Sequence, residues 1–192
     1  MGMTILLVAV LANRFPFSYL LALLLFIAAA ITDYFDGKLA REKYGVTTFG
    51  KLMDPLADKL LVSAALISLV SPAMGNLLPA WMVIIIIARE FMVTGLRLLA
   101  AGEGTVIAAG AWGKHKTVWQ LVAVITILVG VTFTQDINPL LLEAGINTSV
   151  QQWITNSLPT IAYILGLLAT AITLISGWVY FRESKELVLR ET

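Results

Sequence analysis

Four aspartates draw notice by their spacing. Asp33 and Asp36 are three residues apart in Asp33-Tyr34-Phe35-Asp36-Gly37-Lys38-Leu39-Ala40-Arg41, and Asp54 and Asp58 are four apart in Gly50-Lys51-Leu52-Met53-Asp54-Pro55-Leu56-Ala57-Asp58. On a helix either spacing puts both carboxylates on one face. A short connection between two such helices makes them antiparallel neighbours, so the pairs can converge. Converging carboxylates repel one another unless a cation sits among them. With no cysteine and one histidine in the chain, oxygen ligands predominate and favour a hard cation, Mg²⁺ or Mn²⁺. Four carboxylates can hold two such ions a few Å apart, the arrangement that clamps a phosphoryl group during displacement.

The residues around them fit phosphate chemistry. Gly37 would let a ligand approach the backbone of the first helix closely, and Gly50 would do so at the start of the second. Thr47 and Thr48 can cap that second helix, and Arg41 offers a planar donor fork for a phosphate. The competing structural account is an interfacial salt-bridge network of these aspartates with Lys38, Arg41, Lys51 and Lys59. Simple anchoring does not require two aspartate pairs with flanking glycines.

A second group of charges follows in Ala88-Arg89-Glu90-Phe91 and Thr94-Gly95-Leu96-Arg97. Glu90, Thr94 and Arg97 share a helical face, with Arg89 to one side. Arg89 is too deep in its apolar stretch to snorkel easily, so it should face protein or a wet cavity; it either pairs with a carboxylate or binds substrate. Arg97, nearer the span end, is the better phosphate ligand. Gly113-Lys114-His115-Lys116-Thr117 adds Lys114 and Lys116, which are phosphate ligands or plain interfacial anchors. His115 alone needs no metal role.

These residues must be positioned by apolar helices. Of the 192 residues, 59% are hydrophobic and 13% charged, and the mean hydropathy is +0.89. A soluble globule of this size could not hide so much apolar surface, so the expectation is an all-α, polytopic membrane protein forming one domain over residues 1–192. The segments Phe17 to Leu39, Leu52 to Val70, Leu78 to Ala101 and Leu158 to Phe181 are each long enough to cross about 30 Å of hydrocarbon. Val118 to Phe133 becomes long enough with its flank from Gly113. Met3 to Leu11 is about half a span before Pro16 intervenes. The expectation is therefore a six-helix bundle with a short first helix. Asp136 to Ser157 reads as the longest loop, lying against the outer interface.

Lysine and arginine fix the orientation. Lys38, Arg41, Lys43 and Lys51, then Arg97, Lys114 and Lys116, then Arg182, Lys185 and Arg190 fall on one side, while Ser71 to Asn76 and Thr134 to Ser157 carry neither residue type. Arg14 alone disagrees. By the positive-inside rule the aspartates face the cytoplasm. The five tryptophans lie near predicted span ends or in loops, as an interfacial belt would place them. A net charge of +1 without a long basic run gives no basis for nucleic-acid binding.

The pattern D-x2-D-G-x2-A-R-x8-G-x3-D-x3-D resembles the signature of the CDP-alcohol phosphotransferase family. The resemblance implies a six-helix integral membrane enzyme of the cell (inner) membrane, a homodimer, that moves a substituted phosphate from a CDP-alcohol to a hydroxyl and releases CMP. It implies that Asp33, Asp36, Asp54 and Asp58 bind two metal ions, that Asp58 is also the general base, and that Asp33, Gly37, Arg41, Thr47 and Gly50 line the CDP site. From Ala29 to Thr117, including R-E-F-x-V-T-G-L-R and G-K-x-K-T, the chain is similar to the branch that uses CDP-diacylglycerol and sn-glycerol 3-phosphate in phospholipid biosynthesis. Arg89, Arg97, Lys114 and Lys116 would then serve the acceptor phosphate, because a dianionic acceptor needs cations beyond those neutralising the pyrophosphate. Members of that branch begin with a P-N-x-L-T-x-x-R stretch, whereas this chain runs from Met1-Gly2-Met3-Thr4-Ile5 straight into its apolar stub.

Other readings remain. A relative within the family could use phosphatidylglycerol, inositol phosphate or serine as acceptor. From a different class, a cation or proton transporter would place carboxylates at middle depth in several spans, which these aspartates do not do.

Overall fold

The computed structural model describes residues 2–13, 15–43, 48–102 and 111–183, and among them the side chains other than those of 33–43, 48–58, 73, 99, 101, 111–115 and 183. The described residues are helices joined by short turns, with no strand among them. The elements are α1 (Gly2–Ala12), α2 (Ser18–Lys43), α3 (Thr48–Val70), α4 (Ala80–Gly102), α5 (Ala111–Thr132), α6 (Asn138–Glu143) and α7 (Ser149–Glu183). A π-helical turn, Phe133–Ile137, joins α5 to α6 without a break, so these two form one long helix.

The helices close into a ring. α1 packs on α2 and α3, α2 on α5, α5 on α7, α7 on α4, and α4 on α3. The short first helix belongs to this ring, since Leu7, Val10 and Leu11 are buried in the common core beside Phe26, Leu69 and Leu128. Between α3 and α4 the chain reverses through a 3-10 turn, Pro72–Met74, and Gly75 then takes the left-handed conformation (φ 79°) that costs a glycine least.

Side-chain contacts set helix directions. In α4, Met82 lies near Gly166 and Arg89 bonds Ser176, so residue numbers rise together and α4 runs parallel to α7. In α5, Gln120 donates to Thr173 at 3.2 Å, while Gly130 lies against Leu158, so α5 runs antiparallel to α7. Leu20, in the first turn of α2, donates its backbone N–H to Asp136 Oδ2 at 2.8 Å, which sets α2 antiparallel to the α5–α6 helix. The second half of α2, the start of α3, the end of α4, the start of α5 and the end of α7 therefore share one end of the ring.

Among the described residues, two helices, Lys116–Glu143 and Ser149–Arg182, are long and apolar enough to cross a membrane. Large apolar side chains face outward around the ring, among them Ile5, Ile67, Ile84, Val118, Leu174 and Trp178. Exposed apolar surface on this scale marks a lipid or protein interaction face.

One expectation is corrected. Asp136 to Ser157 is not a long loop: α5 continues through the π turn into α6, and α7 starts at Ser149, well before Leu158. α6 ends where Gly145 (φ 74°) allows Ile146 N–H to bond Leu141 O at 2.8 Å, a Schellman-type stop. α7 begins with a capping box, in which Gln151 N–H donates to Thr148 Oγ1 at 3.3 Å and the Gln151 carboxamide oxygen accepts from Thr148 N–H. The reciprocal bonds satisfy donors that a helix start leaves open.

Candidate functional site

Asp33, Asp36, Gly37 and Arg41 all lie on α2, and Gly50, Asp54 and Asp58 all lie on α3. α2 is helical from Asp33 through Arg41 and α3 from Gly50 through Asp58, so the i,i+3 and i,i+4 spacings fall within helices. At 1.5 Å per residue, Asp33 and Asp36 stand about 20–24 Å along α2 from the Leu20–Asp136 contact. That puts them toward the end of the ring that holds the start of α5. Thr47 lies outside the described residues, as do the side chains of Asp33, Asp36, Arg41, Asp54, Asp58 and Lys114; so does the metal site expected of the four carboxylates.

Three of the predicted cations are described, and the structure brings them to one region. Glu90, on α4, accepts at a single carboxylate oxygen from Lys116 Nζ on α5 and from Arg89 Nη1 at 3.4 Å. Arg89 Nη2 donates to Ser176 Oγ on α7 at 2.9 Å. Arg89, Glu90 and Lys116 are 7%, 7% and 5% exposed, so this is an internal ion cluster and Lys116 is no snorkelling anchor. Its fit depends on Gly177: a Cβ there would sit 3.2 Å from Arg89 Cγ. Thr94 turns its hydroxyl back to Glu90 O at 2.7 Å, which keeps its polar atom satisfied within α4.

Arg97 lies further along α4, its guanidinium carbon 5.3 Å from the centroid of the Tyr180 ring on α7. Lys59, beside Asp58 on α3, is within electrostatic reach of Lys116. α3, α4 and α5 thus bring cationic groups to the same end, with Ser176 and Tyr180 of α7 beside the two arginines. Among the described residues, Arg89 and Lys116 pair with the single carboxylate of Glu90, while Arg97 lies against Tyr180, so the described cations here outnumber the described carboxylate.

Sequence reasoning found Arg89, Glu90, Arg97 and Lys116 but not Ser176, Gly177 or Tyr180. Their signal was weak: a small pair, Ser-Gly, and an aromatic within an apolar run read as ordinary span residues. Only the parallel register of α4 and α7 sets them beside the arginines.

Apolar helices of membrane-crossing length, with cations buried among them beside an aspartate-bearing helix pair, give an all-helical protein suited to a membrane. The chain belongs to the CDP-alcohol phosphatidyltransferase family, whose family model it matches over residues 1–181, and it is a transferase enzyme. It is 44% identical over 171 residues to the CDP-diacylglycerol–glycerol-3-phosphate 3-phosphatidyltransferase of Bacillus subtilis (strain 168), covering 89% of this chain and 77% of that one. Proteins of the same name from Mycoplasma pneumoniae and Rickettsia bellii are also similar. The first is 36% identical over 83% of this chain and 64% of its own length; the second is 33% identical over 89% and 82%.

Proposed function

We infer that this chain transfers the phosphatidyl group of CDP-diacylglycerol to sn-glycerol 3-phosphate, giving phosphatidylglycerophosphate and CMP. The observation that carries the acceptor is the described charge group, in which buried Arg89 and Lys116, with half-buried Arg97 further along α4, outnumber Glu90. A dianionic phosphate matches that surplus of charge; an uncharged hydroxyl acceptor would leave it uncompensated. The names of the relatives point to the same pair of substrates.

Asp33, Asp36, Asp54 and Asp58 form an oxygen-only donor set that fits two divalent ions, Mg²⁺ or Mn²⁺. Bound there, the ions would neutralise the pyrophosphate and the charge that develops on departing CMP. Asp33, Gly37, Arg41, Thr47 and Gly50 line the CDP side. Arg97, Lys114 and Lys116, with Arg89 behind them, hold the acceptor phosphate. Asp58 takes the proton of the acceptor hydroxyl, whose oxygen bonds to the β-phosphorus as the bond from that phosphorus to the CMP oxygen breaks. The acyl chains stay in the bilayer while the headgroup reaches the site, which supplies much of the rate by proximity. In this reading the six helices cross the cell membrane, the site faces the cytoplasm, and the enzyme is a homodimer.

CMP release by purified protein in detergent–lipid micelles with CDP-diacylglycerol and Mg²⁺ tests the assignment, with glycerol 3-phosphate, inositol phosphate, serine and phosphatidylglycerol compared as acceptors. Turnover should occur with glycerol 3-phosphate and fall by at least about 10²-fold in Asp58→Asn, the loss typical of a missing general base. Turnover with a different acceptor would keep the family and overturn the acceptor assignment.

A further inference from the structure

We propose that the Tyr180 hydroxyl is a phosphate ligand, forming with Arg97 a phosphomonoester subsite between α4 and α7. The proposal rests on the acceptor reading above and adds a residue from the last helix, which no motif marks. Tyr180 is 5% exposed. Its hydroxyl and the Arg97 Nε are both shut off from solvent, and neither has a hydrogen-bond partner among the described residues. Arg89 Nε is a third such group, and both Arg97 and Tyr180 lie within electrostatic reach of Arg89.

Buried polar groups are bonded nearly without exception, and a buried tyrosine hydroxyl ordinarily finds a partner. The three orphans, two on α4 and one on α7, all carry hydrogens to donate. What they lack among the described residues is an acceptor, and the guanidinium charges of Arg89 and Arg97 favour an anionic one. A phosphate supplies several acceptor oxygens and the matching charge. The Tyr180 ring meanwhile holds the Arg97 guanidinium over its face at 5.3 Å, a cation–π contact that fixes the arginine with or without ligand. Ring and hydroxyl therefore have separable roles: the ring positions Arg97, and the hydroxyl binds the anion.

Tyr180→Phe removes only the hydroxyl and tests this directly. The KM for glycerol 3-phosphate should rise about tenfold or more, the loss expected for a hydrogen bond to a charged group, with the KM for CDP-diacylglycerol and kcat little changed. Without ligand the variant should melt no lower than the parent, since it sheds an unsatisfied hydroxyl. The extra thermal stabilisation given by glycerol 3-phosphate over glycerol should shrink. An unchanged KM together with undiminished stabilisation would overturn the proposal, and a rise confined to the KM for CDP-diacylglycerol would assign the hydroxyl to the other substrate's phosphate and overturn it equally. Should the parent protein fail to turn over glycerol 3-phosphate yet be stabilised by it in a Tyr180-dependent way, the acceptor reading falls and the phosphate subsite stands. If the parent protein shows neither turnover nor stabilisation, both fall.

Discussion

Glu90 on α4 and Lys116 on α5 meet as a buried ion pair, and the same Glu90 oxygen also faces Arg89. One carboxylate thus compensates two cations withdrawn from solvent. Removing one partner of a buried pair is far costlier than the pair's net worth, because the other charge stays buried and unpaired; the loss is about 3–5 kcal/mol. Glu90→Ala should lower the melting temperature in detergent by several degrees, and Glu90→Gln should do nearly the same because it keeps the shape but not the charge. A glutamine variant as stable as the parent would mean that the carboxylate's charge is not what holds Lys116 in place.

Ser176 anchors the other side of the cluster by accepting from Arg89 Nη2 at 2.9 Å. Ser176→Ala leaves a buried guanidinium N–H without its acceptor, a loss of about 1.5–3 kcal/mol for a bond to a charged group. The expected outcome is lower thermal stability, measured by the same melt. Larger side chains at Gly177 should be worse than alanine at 176, since a Cβ there already lies 3.2 Å from Arg89 Cγ and a longer side chain must push the arginine off its partners. Equal melting temperatures for Ser176→Ala and the parent would contradict the bond's structural role.

At the opposite end of the ring, Asp136 caps α2 from a distant part of the chain, accepting from Leu20 N–H at 2.8 Å. α2 has no acidic residue in its own first turn, so this carboxylate supplies both the missing acceptor and the favourable charge at the positive end of the helix dipole. Asp136→Ala should cost about 1 kcal/mol, the usual value of a lost N-cap, or about 2–4 °C in melting temperature for a chain of this size. Hydrogen exchange should report the change first at the start of α2. Exchange that increases only in α5 and α6 would show that the contact matters to the π turn and not to the cap.

The site was more legible in the sequence than the frame that carries it. Charged residues in an apolar chain are conspicuous, because each one is costly unless it has a partner or a task, and so Arg89, Glu90, Arg97 and Lys116 stood out before any helix was built. Helix extents on the far side were harder. Pro159 and the polar run Gln151, Gln152 and Asn156 made the span look as though it began at Leu158, yet α7 passes through Pro159 from Ser149. The capping box Thr148-Ser149-Val150-Gln151 was readable in retrospect, because its spacing is a helix-start signal independent of hydropathy. Asp136 was not readable: nothing local tells a carboxylate at the end of a hydrophobic helix that its partner is Leu20. Tyr180 was invisible for a related reason, since which face of α7 meets Arg97 depends on the register of two helices far apart in the chain.

The aspartate pairs on α2 and α3 make the last prediction. Asp33, Asp36, Asp54 and Asp58 carry four negative charges on two neighbouring helices, and carboxylates brought together without a cation repel one another. In the proposed reaction they hold the divalent ions, so chelation should stop CMP release completely, and added Mg²⁺ or Mn²⁺ should restore it. Chelation should also loosen the second half of α2 and the first half of α3, seen as faster amide exchange there, while the Arg89–Glu90–Lys116 cluster stays protected because Arg89 and Lys116 are held by Glu90 and Ser176 and not through a metal ion. Replacing Asp54 by Asn should reduce that chelation-induced loosening, since it removes part of the repulsion, while abolishing turnover. CMP release that survived exhaustive chelation would separate the aspartates from metal binding and leave their repulsion to be offset by Lys38, Arg41, Lys51 and Lys59.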